Sequence, residues 1–357
     1  MRVLSNADID RLLTMPECID TLEQMYLDYA NGAALMVPRL DNISPATEDD
    51  AYYGFKQMGG AWPRKKVQAL RINSDIISHP VIAGKQRRVK EPRADGRWVG
   101  LVFMFSSETG ALLGIFPDGA MQRMRVGAAS GIAFKYLAPT QARTLSVIGS
   151  GWQAGGQLMA AMALRPFSQV RIFSPRAERR AAFVAQAKRL HPGVEILDID
   201  NAEEAVRGAD VVMAATSSMQ RVLEPSWLKP GMHISCIKPL EVDQEVLDMC
   251  DRVAVHVTRE AKLADNIMPG TRNTSDLDEK GWWKMPDSKF DTYPELAQLV
   301  AGKAPGRKDR KEITCFLNNV GIGLQFAAAG ALVLEKARGM EIGHELPDDW
   351  FSEDVHP

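Results

Sequence analysis

Residues 144–164, TLSVIGSGWQAGGQLMAAMAL, restrict the fold of this chain more than any other stretch. An apolar strand pattern runs into Gly149-Ser150-Gly151-Trp152-Gln153-Ala154, and a helical pattern follows directly. In that arrangement Gly149 permits the tight turn, Gly151 lets a pyrophosphate approach the backbone, and Ala154 lets the helix pack close to the strand. The helix N-terminus then offers free N–H groups and partial positive charge to phosphate. A lone GxGxxA is weak evidence, but this one opens a series of alternating elements. Strands are expected at 144–148, 170–173, 195–199, 210–215, 233–237 and 252–257, with helices at 157–164, 177–190 and 202–206. That alternation predicts an α/β fold with a Rossmann-type doubly wound parallel sheet.

The 357 residues leave room for a second domain. The first 30 read as two helices, with Asn6 as the cap of the first and the second following Pro16. From 37 to 116 the pattern changes to short runs broken by Gly and Pro (YYGFKQM, QALRI, WVGLVFMFS, ALLGIF), which predict a mainly antiparallel sheet. A helix is expected over 121–137 and another over 313–337. The acidic tail ELPDDWFSEDVHP reads as loosely attached, and the basic stretch 85–97 as a solvated hairpin tip, with a loop that grips a phosphate or an acidic partner as the alternative. Trp282-Trp283 reads as a packing or partner pair.

Composition removes several classes of function. Lys and Arg total 43 against 45 Asp and Glu, so the net charge of -2 lacks the basic excess of a nucleic-acid binder. No apolar run reaches the ~18 residues of a membrane helix. The start, MRVLSNADIDRLL, does not read as a signal peptide. Cys18, Cys236, Cys250 and Cys315 show no CxxC spacing, and the six histidines are scattered, His233 reading as a satisfied core residue. We therefore expect no metal site and a reducing, cytoplasmic setting.

The second strand of the nucleotide fold bears on the cofactor. NAD sites place an acid at its end to hold the ribose 2′-OH. Here the strand meets Ser174-Pro175-Arg176, with no acid before Glu178 and with Arg179 and Arg180 close by. A hydroxyl and guanidinium groups suit a 2′-phosphate, so NADP(H) is expected over NAD(H), with Ser174, Arg176 and Arg179 as its contacts.

The order of motifs resembles the ornithine cyclodeaminase/mu-crystallin family over most of the chain. It is carried by VPR at 37–39, YGFK at 53–56, MRVGAAS at 124–130, IGSGWQA, ADVVMAATSS, PGMHISCIKP, and GRKDRKEIT ahead of a glycine-rich helix. The resemblance implies a homodimer and a substrate-binding and dimerisation domain, mainly antiparallel α+β, built from 1–120 and 316–357. The nucleotide domain, 121–315, is inserted between these pieces. It implies a small amino or imino acid substrate and hydride exchange at the carbon bearing nitrogen, as in ketimine or cyclic imine reductases. Two alternatives stay open: an ornithine cyclodeaminase-type ammonia lyase with catalytic NAD, and a nucleotide-bound binding protein without turnover.

Carried over by position, Arg39 and Arg125 match the family's substrate-carboxylate arginines and Lys56 its substrate-domain lysine. Two guanidinium groups orient a carboxylate, and a lysine whose pKa is lowered by burial can relay a proton. Thr216 and Ser217 join Gly149, Gly151, Trp152, Gln153 and Ala154 as cofactor contacts; Lys238, a charge where the family usually has a small residue, is a candidate contact for a cofactor phosphate or a substrate carboxylate. Where the family's cyclodeaminases carry an aspartate after the HISCI strand, this chain has Ile237-Lys238-Pro239-Leu240-Glu241-Val242-Asp243. Glu241 is the candidate catalytic stand-in. The alternative is that Glu241 and Asp243 are ordinary helix-start acids. The last helix has Gln325-Phe326 where the family tends to have acids. A basic, acid-poor pocket favours an anionic substrate over a diamine.

Overall fold

The structure is a computed structural model that describes residues 1–48, 50–258, 265–272, 274 and 289–355. Trp282 and Trp283 lie outside the described residues. Among these residues seven strands form a sheet in the order Glu195–Ile199, Gln169–Phe173, Thr144–Ile148, Val211–Ala214, His233–Cys236, Thr314–Leu317, Arg252–Val255. Every neighbouring pair is parallel. The central strands Val211–Ala214, His233–Cys236 and Thr314–Leu317 are buried along their whole length, because both sheet faces are covered. The chain leaves Thr144–Ile148 first toward one edge and later returns to its other side. The crevice beyond the carboxyl ends of Thr144–Ile148 and Val211–Ala214 is therefore the switch point, where such folds bind ligands.

A second, nine-stranded mixed sheet contains Leu35–Pro45, Ala51–Trp62, Val67–Ser78, Val99–Ser106 and Leu112–Pro117 as successive antiparallel neighbours. Its strands alternate between buried and half-exposed residues. The buried face is split by chemistry. Met58, Ala69 and Met104 form core at one end, under the helix Gly323–Gly339, whereas Lys56, Arg71, Asn73 and Asp75 are buried at the other.

The structure corrects four local expectations. Ser5, not Asn6, caps the first helix, Asn6–Leu12, through a reciprocal pair with Asp8. The helix expected at 157 begins at Trp152, directly on the Gly151 cap. The helix expected over 313–337 is two elements: strand Thr314–Leu317 enters the parallel sheet, and helix Gly323–Gly339 begins after a turn. A four-residue apolar run carries no period that separates strand from buried helix. The tail is tied down rather than loose, since His344–Glu345 pairs antiparallel with Arg2–Val3 and Asp348 meets the N-terminal amino group.

Candidate active site

The glycine turn has the geometry of a phosphate cradle. Gly149 has a φ of +122°, and a Cβ there would lie 2.3 Å from the Ala215 carbonyl oxygen. No other residue fits that turn. Beside Gly151, the N-cap of helix Trp152–Leu164, a Cβ would meet nothing within 4 Å, so the space facing the helix N-terminus is open. Ala154 is fully buried, as close helix–strand packing requires, and Gln153 Oε1 is buried without a hydrogen-bond partner. Trp152 turns away from the cradle: its Nε1 donates to the Gly119 carbonyl (3.0 Å) and Arg123 lies over its ring (4.0 Å). These features fit a dinucleotide with its pyrophosphate on the helix end.

At the end of strand Gln169–Phe173, Ser174 is buried, and Arg176 and Arg179 are exposed. Arg180 is already engaged by Asp198 and the Ser174 carbonyl. Arg176 feels burial first, then the charge of Arg179, and both lower its pKa. A guanidinium from the segment between strands Lys85–Gln86 and Val89–Glu91 joins them. Arg87 is 8% exposed, forms no ion pair among the described residues, and is depressed by burial and then by Arg176. Arg87 reaches this position because its segment docks on the turn after Val211–Ala214. It bridges to Ser218, the Arg88 N–H donates to the Ser217 carbonyl (3.1 Å), and Lys85 Nζ donates to the Arg221 carbonyl (2.9 Å). The first half of the basic stretch is thus a docked strand with its cations turned inward; only the part around Arg93 and Arg97 is the solvated tip expected.

Lys238 lies in the same seam. Its Nζ donates to the Ser218 carbonyl (2.6 Å), and burial pulls its pKa down to about 8 against the opposing pull of Glu241. Glu241 is fully buried, and its oxygens accept the backbone N–H groups of Thr216 (2.5 Å), Ile237 (2.9 Å) and Lys238 (3.2 Å). Burial raises its pKa, opposed by Lys238 and these donors. It staples two turns together. Asp243, in contrast, is a helix-start acid: its Oδ1 accepts the Val246 N–H and it pairs with Arg221.

The second cluster lies on the inner face of the mixed sheet. Lys56 is 2% exposed and stands opposite Asn73. Its Nζ and that of Lys90 both lie 2.9 Å from Asp75 Oδ2. Burial, then the charge of Arg88, hold the Lys56 pKa well below its usual value, against the pull of Asp75. Arg39 chelates Asp41 (2.8 and 2.6 Å), and Arg71 meets Asp118 (2.7 and 2.6 Å), which also accepts from Asn73 (3.0 Å). Arg125 projects from helix Gly119–Leu137, is buried, and pairs with no carboxylate among the described residues. Its Nη1 donates to Gln325 Oε1 (3.1 Å), its Nε has no partner, and Phe326 lies 5.2 Å from its Cζ. Gln325 in turn donates to Tyr26, which meets His256 at 2.5 Å. The charge of Arg39 acts on both Lys56 and Arg125.

Arg71, Asn73, Asp75, Lys90, Asp118 and Arg87 were absent from the sequence-derived list. The signal for three of them is present: Arg71, Asn73 and Asp75 alternate at a period of two on one strand. Such a polar face ordinarily points to water.

Comparison with known proteins agrees with this architecture. A family model described as "Ornithine cyclodeaminase/mu-crystallin family" matches residues 86–341. The N-((2S)-2-amino-2-carboxyethyl)-L-glutamate dehydrogenase of Staphylococcus aureus is 29% identical over 324 residues, 86% of this chain and 92% of that protein. Among solved structures, the Thermococcus litoralis Δ1-pyrroline-2-carboxylate reductase, in complex with NADH and L-proline, aligns with a TM-score of 0.75 at 23% identity. That alignment covers 97% of this chain and 100% of the other. An archaeal alanine dehydrogenase dimer with bound NAD aligns at 0.76 and 24%, covering 97% and 99%. The two structures share this fold.

Proposed function

The chain belongs to the ornithine cyclodeaminase/mu-crystallin family, and from that premise we propose that it is an NADP(H)-dependent imine reductase or amino acid dehydrogenase. It moves a hydride to or from the carbon bearing nitrogen in an α-imino or α-amino acid. The observation that carries this reading is Arg125: a buried guanidinium with an unpartnered Nε and no ion pair among the described residues. Buried cations are ordinarily paired, so the missing anion is the substrate carboxylate. Relatives named as dehydrogenases and reductases of amino and imino acids support the same chemistry.

In this reading a bound nicotinamide supplies or accepts the hydride. Arg125 and Arg39 orient the carboxylate, and Lys56 moves the proton that accompanies the change at nitrogen. Glu241 holds the turns carrying Thr216 and Lys238, and so acts on geometry. The cation-rich pocket argues against a diamine such as ornithine, whose side-chain ammonium it would repel. The test is steady-state turnover of cyclic and linear α-imino acids with reduced cofactor, beside ammonia release from ornithine. Turnover only of ornithine would overturn the reading.

Arg176, Arg179 and Ser174, with Arg87 opposite, support a preference for the 2′-phosphate. Arg176→Ala should weaken NADPH binding about tenfold, the value of one charge-assisted bond, and leave NADH binding nearly unchanged. Fluorescence titration of both cofactors checks this; a wild-type protein that binds NADH as tightly as NADPH contradicts the assignment.

The outer face of the mixed sheet carries Phe55, Leu70, Ile72, Ile76, Leu101 and Phe103, of which Leu70 is exposed and the others partly exposed. A contiguous apolar sheet face of this kind marks an association surface. We read it as the seat of a two-fold homodimer. Light scattering at micromolar concentration should give the mass of two chains, and Leu70→Glu should halve it.

A further inference from the structure

Asp75 lies on the inner face of strand Val67–Ser78 and is 2% exposed. Its two oxygens differ. Oδ2 receives both lysines, Lys56 and Lys90, at 2.9 Å each. Oδ1 is buried and accepts no hydrogen bond. Buried polar atoms without partners are rare and call for an explanation. Burial would raise the Asp75 carboxyl, but the two ammonium groups outweigh it and keep the group ionised. Oδ1 is therefore an unpartnered anionic acceptor, out of water, on a carboxylate flanked by two cations, Lys56 and Lys90.

The remaining acids nearby are occupied. Asp41 chelates Arg39 with both oxygens. Asp118 is held by Arg71 and Asn73, and Glu241 by three backbone N–H groups. A pocket containing Arg39, Lys56, Lys90 and Arg125 would expel a cationic nitrogen unless one acid faced it.

We propose that Asp75 Oδ1 accepts the N–H of the substrate's iminium or ammonium group, so that Asp75 is the nitrogen-binding carboxylate of this site. The proposal rests on the imino/amino acid reading above. In the reducing direction the substrate enters as an iminium, its carboxylate on Arg125 and its N–H on Asp75. A bound reduced nicotinamide would supply the hydride, being oxidised by two electrons as it did so; at the substrate the new C–H bond forms as the C=N π pair moves onto nitrogen. The neutral amine then takes a proton from the Lys56 ammonium and departs as an ammonium. Asp75 donates no proton; it keeps the imine protonated by stabilising its charge.

The test compares wild type with Asp75→Asn, using ligand pairs that differ only in nitrogen. The pairs are proline with cyclopentanecarboxylate, and alanine with lactate, each titrated by calorimetry into the NADP⁺-bound protein. Loss of one charge-assisted bond should cost Asp75→Asn about tenfold to fiftyfold in affinity for the nitrogen-bearing member. The nitrogen-free member should bind as in wild type. Imine turnover should fall alike, with the pH optimum of kcat moved to lower pH, because an imine without its counter-charge protonates less readily. Should Asp75→Asn not fold, the Lys90→Met/Asp75→Asn pair carries the same comparison, since it also removes an ammonium left uncompensated. Equal losses on both members of a pair, or no loss, would overturn the proposal while wild-type imine turnover stands. A wild type that neither turns over imino acids nor binds either pair overturns the underlying reading, and the proposal with it.

Discussion

Replacing Arg125 by lysine is expected to lower kcat/KM by about a hundredfold or more, most of it as a rise in KM. The two parallel N–H···O bonds of a guanidinium fork are worth roughly 1.5–3 kcal/mol each, and an ammonium cannot reproduce that geometry. Charge is conserved, so the variant isolates the fork. The position is also demanding sterically: a Cβ on Gly321 would lie 2.0 Å from Arg125 Nη1. Gly321→Ala should therefore displace the guanidinium and reproduce the kinetic defect with Arg125 itself intact. NADPH affinity should survive both changes, because neither residue faces the glycine turn. Wild-type KM values in Arg125→Lys would mean that the carboxylate binds elsewhere.

The nucleotide half of the molecule was legible because its signals are local. Gly149 is read from a strand, a turn and a helix adjacent in sequence, and the left-handed turn with Ala215 behind it is what that pattern encodes. Strand Thr314–Leu317 was not legible. It is inserted between two strands that precede it in the chain, and only that tertiary slot makes a four-residue apolar run extended.

The substrate pocket divides similarly. Arg39, Lys56 and Arg125 came from motif order. Asp75, Arg71 and Lys90 did not, for two reasons. The alternation of Arg71, Asn73 and Asp75 looks like a solvent face, and only the covering helices reverse that meaning. Lys90 looks like part of a basic run until the pairing of Val89–Glu91 with Val67–Ser78 turns it onto Asp75. The same short stretch of chain reaches both clusters: Arg87 feels the charge of Arg176, and Lys90 shares Asp75 with Lys56.

Lys56→Met should lower kcat by about 10²–10⁴, the usual range for losing a positioned acid–base group, and should change KM far less. Methionine matches the length of the lysine stem, so packing beside Gly54 is kept while the proton carrier is lost. The sign of the pH dependence follows from the depressed Lys56 pKa, set first by burial and then by Arg88. In amine oxidation the neutral lysine accepts the proton, so kcat rises with pH through that pKa and levels above it. In imine reduction the ammonium form donates, so kcat falls through the same value. That midpoint must lie well below the usual lysine range in both directions. Lys90 sharpens the argument. Two ammonium groups on one Asp75 oxygen leave one positive charge uncompensated, and the more deeply buried Lys56 is the one that gives up its proton. Lys90→Met should thus leave Lys56 the whole of Asp75, raise its pKa, and move both limbs to higher pH. Steady-state kcat profiles of the wild type and the two variants decide the matter. A Lys56→Met profile with the wild-type limb and wild-type kcat would place the proton transfer on another group.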